Sequence, residues 1–122
     1  VGIGVSPKRF SYGLLQKSKD FAVNIPTRRQ LEAVQVCGSK YGRRVDKFKA
    51  AGLTREKASK ISSPLVAECP VSLECVKTKE VETGDHIWFV GEVVAARREE
   101  SYDKADMLLY WGDYRVIGEK LG

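Results

Sequence analysis

The stretch Ile87-Trp88-Phe89-Val90-Gly91-Glu92-Val93-Val94-Ala95-Ala96 decides the fold. It is largely apolar on both faces and rich in Val and aromatic residues. A strand covered on both sides reads as a near-continuous apolar run, so this segment is expected to be the central strand of a sheet. Gly91 interrupts it, which marks a bulge or a close backbone approach. Just upstream, Thr83-Gly84-Asp85 signals a turn. Before that, Val71, Leu73 and Cys75 alternate with Ser72 and Glu74, the pattern of a strand buried on one face. Downstream, Arg97 to Asp106 reads as a polar loop. Met107 to Trp111 and Tyr114 to Ile117 then flank Gly112-Asp113 as a hairpin.

The first half carries short helices among strands. Val1 to Val5 reads as a strand, closed by Ser6-Pro7, since proline cannot donate to a ladder. Ser11 is expected to cap a helix running to Lys19, with Leu14 and Leu15 facing inward. Asp20 to Ile25 alternates as a half-buried strand. Thr27 and Gln30 fit a capping box for a helix carrying Leu31, Val34 and Cys37 and ending at Gly38. Gly42-Arg43-Arg44 reads as a loop. Val45, Phe48 and Ala51 mark a third helix, stopped by Gly52. Residues 54–64 are polar and read as an exposed connection. The sum is one domain over 1–122, mainly β with inserted short helices, antiparallel and barrel-like. A chain that opens inside a strand is expected to lack N-terminal strands of its domain.

Composition narrows the function. The 122 residues are 43% hydrophobic and 30% charged, too apolar for a disordered chain. No run approaches the ~20 apolar residues of a membrane helix, and no basic start leads into an apolar stretch. Lys and Arg total 21 against 16 Asp and Glu, a net charge of +5, which suits an anionic partner. Cys37, Cys69 and Cys75 form an odd, sparse set, expected of a reducing cytoplasm rather than a secreted scaffold.

Several chemistries are excluded. Gly2-x-Gly4 starts like a dinucleotide fingerprint, but Pro7 stands where the third glycine is due and no βαβ unit follows. Cys69 and Cys75 are six apart, and His86 is the only histidine, so no zinc spacing exists. A Ser-His-Asp site would rest on His86 with Asp85, and neighbours along a strand point to opposite faces. A basic nucleic-acid barrel wants cations among its aromatics, and the strand bearing Trp88 and Phe89 has none before Arg97. The segment Ser6-Pro7-Lys8-Arg9-Phe10-Ser11-Tyr12 has more to offer. Two cations beside a helix N-terminus with a hydroxyl make a phosphate cradle; the alternative is an ordinary capped helix with solvated charges.

Ile3 to Tyr12 with Asp20 to Pro26 resembles the flavin reductase-like family of FMN-binding split barrels, which includes the flavoredoxins. Cys37-Gly38, Gly42-Arg43, Val45 to Phe48, Ala51 to Thr54, Glu68 to Cys75, Gly84-Asp85-His86, Val90 to Val93 and Leu108 to Tyr110 follow in the family's order. Lys40, Tyr41 and Arg44 depart from its pattern. The Thr/Ser-rich and Pro-Pro elements that hold the isoalloxazine ring are not in this sequence.

The resemblance implies a Greek-key-like antiparallel split barrel, incomplete at its N-terminus. It implies a homodimer that binds FMN and acts as an NAD(P)H:flavin oxidoreductase. The alternatives are a flavoredoxin-like electron carrier or a ferric reductase. Carried over by position, Lys8, Arg9 and Ser11 hold the phosphate with Ser6 nearby. Asp46 and Lys47 fall on a further cofactor-binding motif, or form a helix-start ion pair. His86 falls next to the reacting face, where it is expected to donate to a flavin carbonyl or a nicotinamide amide; the alternative is a structural strand-end histidine. Tyr110 and Trp111 are expected in the core, with a dimer contact as the alternative. Without the ring-binding elements, residues 1–122 alone are expected to hold FMN weakly and to associate through open edges.

Overall fold

The computed structural model of the chain describes residues 1–40 and 42–118; Tyr41 lies outside them. Its main sheet has four antiparallel strands in the order β1-β6-β5-β2. These are β1 (Gly2–Val5), β2 (Asp20–Ile25), β5 (Val71–Thr83) and β6 (His86–Arg98). The apolar run is therefore central in the ladder and longer than expected at both ends, but it is not covered on both sides: Phe89 is buried, whereas Trp88, Val93 and Val94 are exposed. Helix α1 (Phe10–Lys17) crosses between β1 and β2. Helices α2 (Leu31–Ser39) and α3 (Lys47–Ala51) precede two short pairs, β3 (Arg55–Glu56) with β4 (Leu65–Val66), and β7 (Leu108–Tyr110) with β8 (Tyr114–Val116).

Phe21, Cys75 and Phe89 form the buried centre, with Ile3, Val5, Ile87, Tyr12 and Leu15 packed on it. Gly91 lies over this centre. A Cβ there would sit 2.6 Å from the Phe21 ring and 2.9 Å from the Cys75 Cβ, which is the close approach its sequence position suggests. On the opposite face, Trp88 stands across from Gly4 and fills the space over Gly2 and Gly4. The Gly-x-Gly pattern thus serves an indole, not a pyrophosphate.

Four sequence expectations are corrected. The helix near Ser11 starts two residues earlier and ends at Lys17; Arg9, in extended conformation, is its N-cap, so Ser11 lies in the first turn and does not cap. Leu14 is exposed, while Leu15 packs inward. Tyr110 and Trp111 are 64% and 80% exposed on the β7–β8 hairpin and are not core. Finally, the first five residues of β5, Val71 to Cys75, are covered on both faces, because residues 57–66 fold over the second face there. Ser72 and Glu74 are buried there.

That covering segment is no loose connection. The Glu74 carboxylate accepts from the Ser59 amide and hydroxyl and from the Lys60 amide at 2.6–3.1 Å. Asp20 accepts from the Ser62 amide at 2.9 Å, and from the Ser63 amide and hydroxyl at 3.0 and 2.6 Å. Backbone donors that a strand would use on a ladder are here satisfied by two carboxylates.

Candidate functional site

The antiparallel register sets Val5 opposite Ile87, which brings the end of β1 beside His86 at the start of β6. Beyond Val5 the chain turns sharply. The Arg9 amide donates to the Ser6 carbonyl at 3.0 Å, and the Lys8 amide to the Ser6 hydroxyl at 3.3 Å. Pro7 fits such a turn because its φ is preset. A pocket of about 530 Å³ results, lined by Gly4, Val5, Ser6, Lys8, Arg9 and His86. Residues 80 apart in sequence meet there through one strand pairing.

Its electrostatics are one-sided. Among the described residues neither Lys8 nor Arg9 pairs with a carboxylate, and no acidic residue sits in the first turn of α1. Cations at a helix N-terminus oppose the helix dipole. An anion bound between them would relieve that opposition, so the donor set fits a phosphate group.

The other candidates lie next door. A larger groove of about 910 Å³ runs between α1, α2 and the segment leading into α3, and shares Val5 and Arg9 with the first pocket. Ser11, Asp46 and Lys47 line this groove and not the His86 pocket. Asp46 is the N-cap of α3, accepting from the Phe48 and Lys49 amides at 3.1 and 3.4 Å. It pairs with Arg55 at 3.5 Å, not with Lys47. Arg43 and Arg44, read from sequence as loop and not as site residues, also line the groove, as do Arg55 and Cys37. Arg43 lies over the Phe10 ring and Arg55 over the Phe48 ring, at 5.4 and 4.2 Å. The dipeptide Arg43-Arg44 between two helices was the available signal.

Asp85 and His86 do meet. The sequence argument that neighbours diverge holds only inside a strand, and Asp85 belongs to the turn. Its carboxylate lies 2.9 Å from His86 Nδ1, and this contact holds the Asp85 carboxyl below its ordinary range. Desolvation, with the nearby Glu68 charge, pushes the Cys69 thiol up to about 11. Cys75 is raised by burial.

The fold is that of a split-barrel protein, mainly β with short helices between strands. Within that class the chain belongs to the flavin reductase like domain family, whose model matches residues 1–118. Flavoredoxin from Methanosarcina acetivorans superposes with a TM-score of 0.86 at 27% identity, over 99% of this chain and 70% of that one. An FMN-binding protein from Thermus thermophilus gives 0.84 at 32% identity, over 99% and 71%. The NADH:FAD oxidoreductase of Streptomyces globisporus gives 0.82 at 26%, over 95% and 67%. An uncharacterised protein of Archaeoglobus fulgidus is 32% identical over 102 residues, which are 84% of this chain and 58% of that protein.

Proposed function

We propose that the chain holds FMN and acts as an NAD(P)H:flavin oxidoreductase. The observation that carries this reading is the meeting of Lys8, Arg9 and His86 on one pocket at the start of α1. The likeness to an FMN-binding protein and to an NADH:FAD oxidoreductase supports it. Bound flavin supplies an electron-accepting N5 that takes a hydride from NAD(P)H. The protein's part is placement. Lys8 and Arg9 neutralise the phosphate, and Ser6 fixes the turn that presents them. Ser11, Asp46 and Lys47 border the adjoining groove, with Asp46 acting through its cap on α3. His86 orients the nicotinamide.

Further parts of the reading rest on the surface. The exposed Tyr110 and Trp111 support a homodimer built with this hairpin. The three free thiols fit a cytoplasmic setting, and among the described residues no helix is long and apolar enough to cross a membrane. The likeness to flavoredoxins favours a second reading, a carrier reduced by a protein partner. Steady NADH or NADPH oxidation supports the reductase; flavin reduced only by a protein donor supports the carrier.

The cradle is tested by ligand choice. Measured in the full-length protein, Lys8→Ala and Arg9→Ala are each expected to weaken FMN binding roughly ten- to hundredfold, the scale of ~1.5–3 kcal/mol for a charge-assisted contact. Riboflavin has no phosphate and should bind each variant as it binds the parent. Equal loss for both ligands, measured by flavin fluorescence, would remove the phosphate assignment. His86→Ala is expected to keep FMN and to lower kcat/KM for NAD(P)H about tenfold. A variant that turns over normally but melts earlier would make His86 a structural residue.

A further inference from the structure

The strands β5 and β6 are joined by the two residues Gly84 and Asp85. Gly84 has φ +63°, the sign a type II′ hairpin needs at its first central position. The ladder resumes with Thr83 opposite His86, and the Thr83 hydroxyl donates to the His86 carbonyl at 3.3 Å. Asp85 is left outside the ladder, free to place its carboxylate 2.9 Å from His86 Nδ1.

The pocket itself is short of acceptors. Lys8 and Arg9 are the charged groups that share it with the ring, and both can only donate. The Ser6 hydroxyl is engaged by the Lys8 amide. A ligand N–H entering this pocket finds two side-chain acceptors, the second lone pair of the Ser6 hydroxyl and an imidazole nitrogen, the latter only if that nitrogen carries no proton. Which ring nitrogen is protonated is set by the bond the other one makes. A carboxylate on Nδ1 keeps the proton there and leaves Nε2 with its lone pair.

We propose that Asp85 is a positioning residue that fixes the Nδ1–H tautomer of His86, so that Nε2 accepts a hydrogen bond from an amide-type N–H of the bound ligand. This rests on the reading of the pocket as a flavin and nicotinamide site, and it reverses the sense expected from sequence, where the imidazole donates. Two groups in such a site carry that chemistry: the carboxamide of the nicotinamide and the ring imide of the flavin. The Asp85–His86 contact is exposed, with side-chain accessibilities of 94% and 47%. Exposed pairs of this kind contribute little to stability, so its removal separates positioning from folding.

His86 is the only histidine, so its ring ¹⁵N signals are unambiguous in the free protein. In the neutral ring, the parent chain is expected to show a pyrrole-like Nδ1 and a pyridine-like Nε2. Asp85→Ala is expected to shift the ring toward the Nε2–H form that free histidine favours, with Tm unchanged. A parent ring already in the Nε2–H form, or a tautomer ratio that Asp85→Ala leaves alone, overturns the proposal whatever the activity shows.

The acceptor role is then read with paired ligands. Asp85→Ala should lower kcat/KM for NADH about fivefold or more, yet spare the reduced 3-acetylpyridine analogue, which keeps the carbonyl and lacks the amide N–H. Loss of affinity for FMN but not for N3-methyl-FMN would place the N–H on the flavin imide and overturn the nicotinamide role given to His86. Equal loss within both pairs overturns recognition of an N–H. Absence of NADH turnover in the parent would remove the functional reading and leave the tautomer measurement standing.

Discussion

Phe89→Ala is expected to destabilise the chain by about 3–5 kcal/mol, the usual cost of emptying a phenylalanine site in a packed core. Phe89 is fully buried on the central strand, against Phe21 and Cys75. Its ring also touches the helix that leads away from the site: the Tyr12 ring of α1 lies 5.9 Å away, tilted by 54°. Lys77 closes the arrangement. Its ammonium lies 5.5 Å from the Phe89 ring centroid and donates to the Leu15 and Gln16 carbonyls at 2.9 and 3.0 Å. A cation among the last carbonyls of a helix is well placed for both hydrogen bonding and the dipole. The loss should therefore appear twice, as a lower urea midpoint and as looser FMN binding in the variant that remains folded. Phe89→Leu keeps most of the apolar volume and should recover most of the stability. A Phe89→Ala chain within 1 kcal/mol of the parent would show that α1 is held by something other than this ring.

What the sequence reveals and what it hides follow from the range of the forces involved. The central strand is legible because apolar residues on both faces leave few alternatives, and Gly91 is legible because only a missing Cβ fits under the Phe21 ring. The cradle at Ser6–Arg9 is legible as a local motif of turn residues and cations. Its meeting with His86 comes from strand register, which no local pattern prints. The burial of Glu74 is hidden for the same reason: its alternation marks it as outward, and the segment that covers it lies about 15 residues earlier in the chain. Leu14 shows the reverse, an apolar residue left exposed at the rim of the groove. Asp85 is hidden because strand alternation stops at His86, the first residue of β6, and does not govern the turn before it.

Acid should undo the covering segment before it undoes the core. Burial raises the carboxyls of Asp20 and Glu74, but hydrogen bonds from Ser63 and the Ser62 amide to Asp20, and from Lys60 and Ser59 to Glu74, outweigh it, and both lie below their ordinary values of 3.8 and 4.5. A carboxyl whose folded pKa is depressed adds stability above its unfolded value and loses it as pH falls through the folded one. The contribution is therefore whole at neutral pH and fades as pH drops below about 4. Glu74→Ala leaves three donors at Ser59 and Lys60 without their carboxylate, and at pH 7 should cost about 3 kcal/mol on the scale of charged hydrogen bonds. At pH 3 the gap between parent and variant should narrow, because the parent is losing the same charge. A gap independent of pH would mean that Glu74 acts by packing alone. The consequence reaches the groove. Glu56 pairs with Arg97 of β6, and Arg55, beside it on β3, pairs with Asp46 at the cap of α3. The segment that Asp20 and Glu74 pin to the sheet is thus the same one that carries Arg55 to the groove wall. Glu74→Ala should raise hydrogen exchange at the Ser59 and Lys60 amides first, and at the Phe48 and Lys49 amides of the α3 cap next, while Phe89 stays protected.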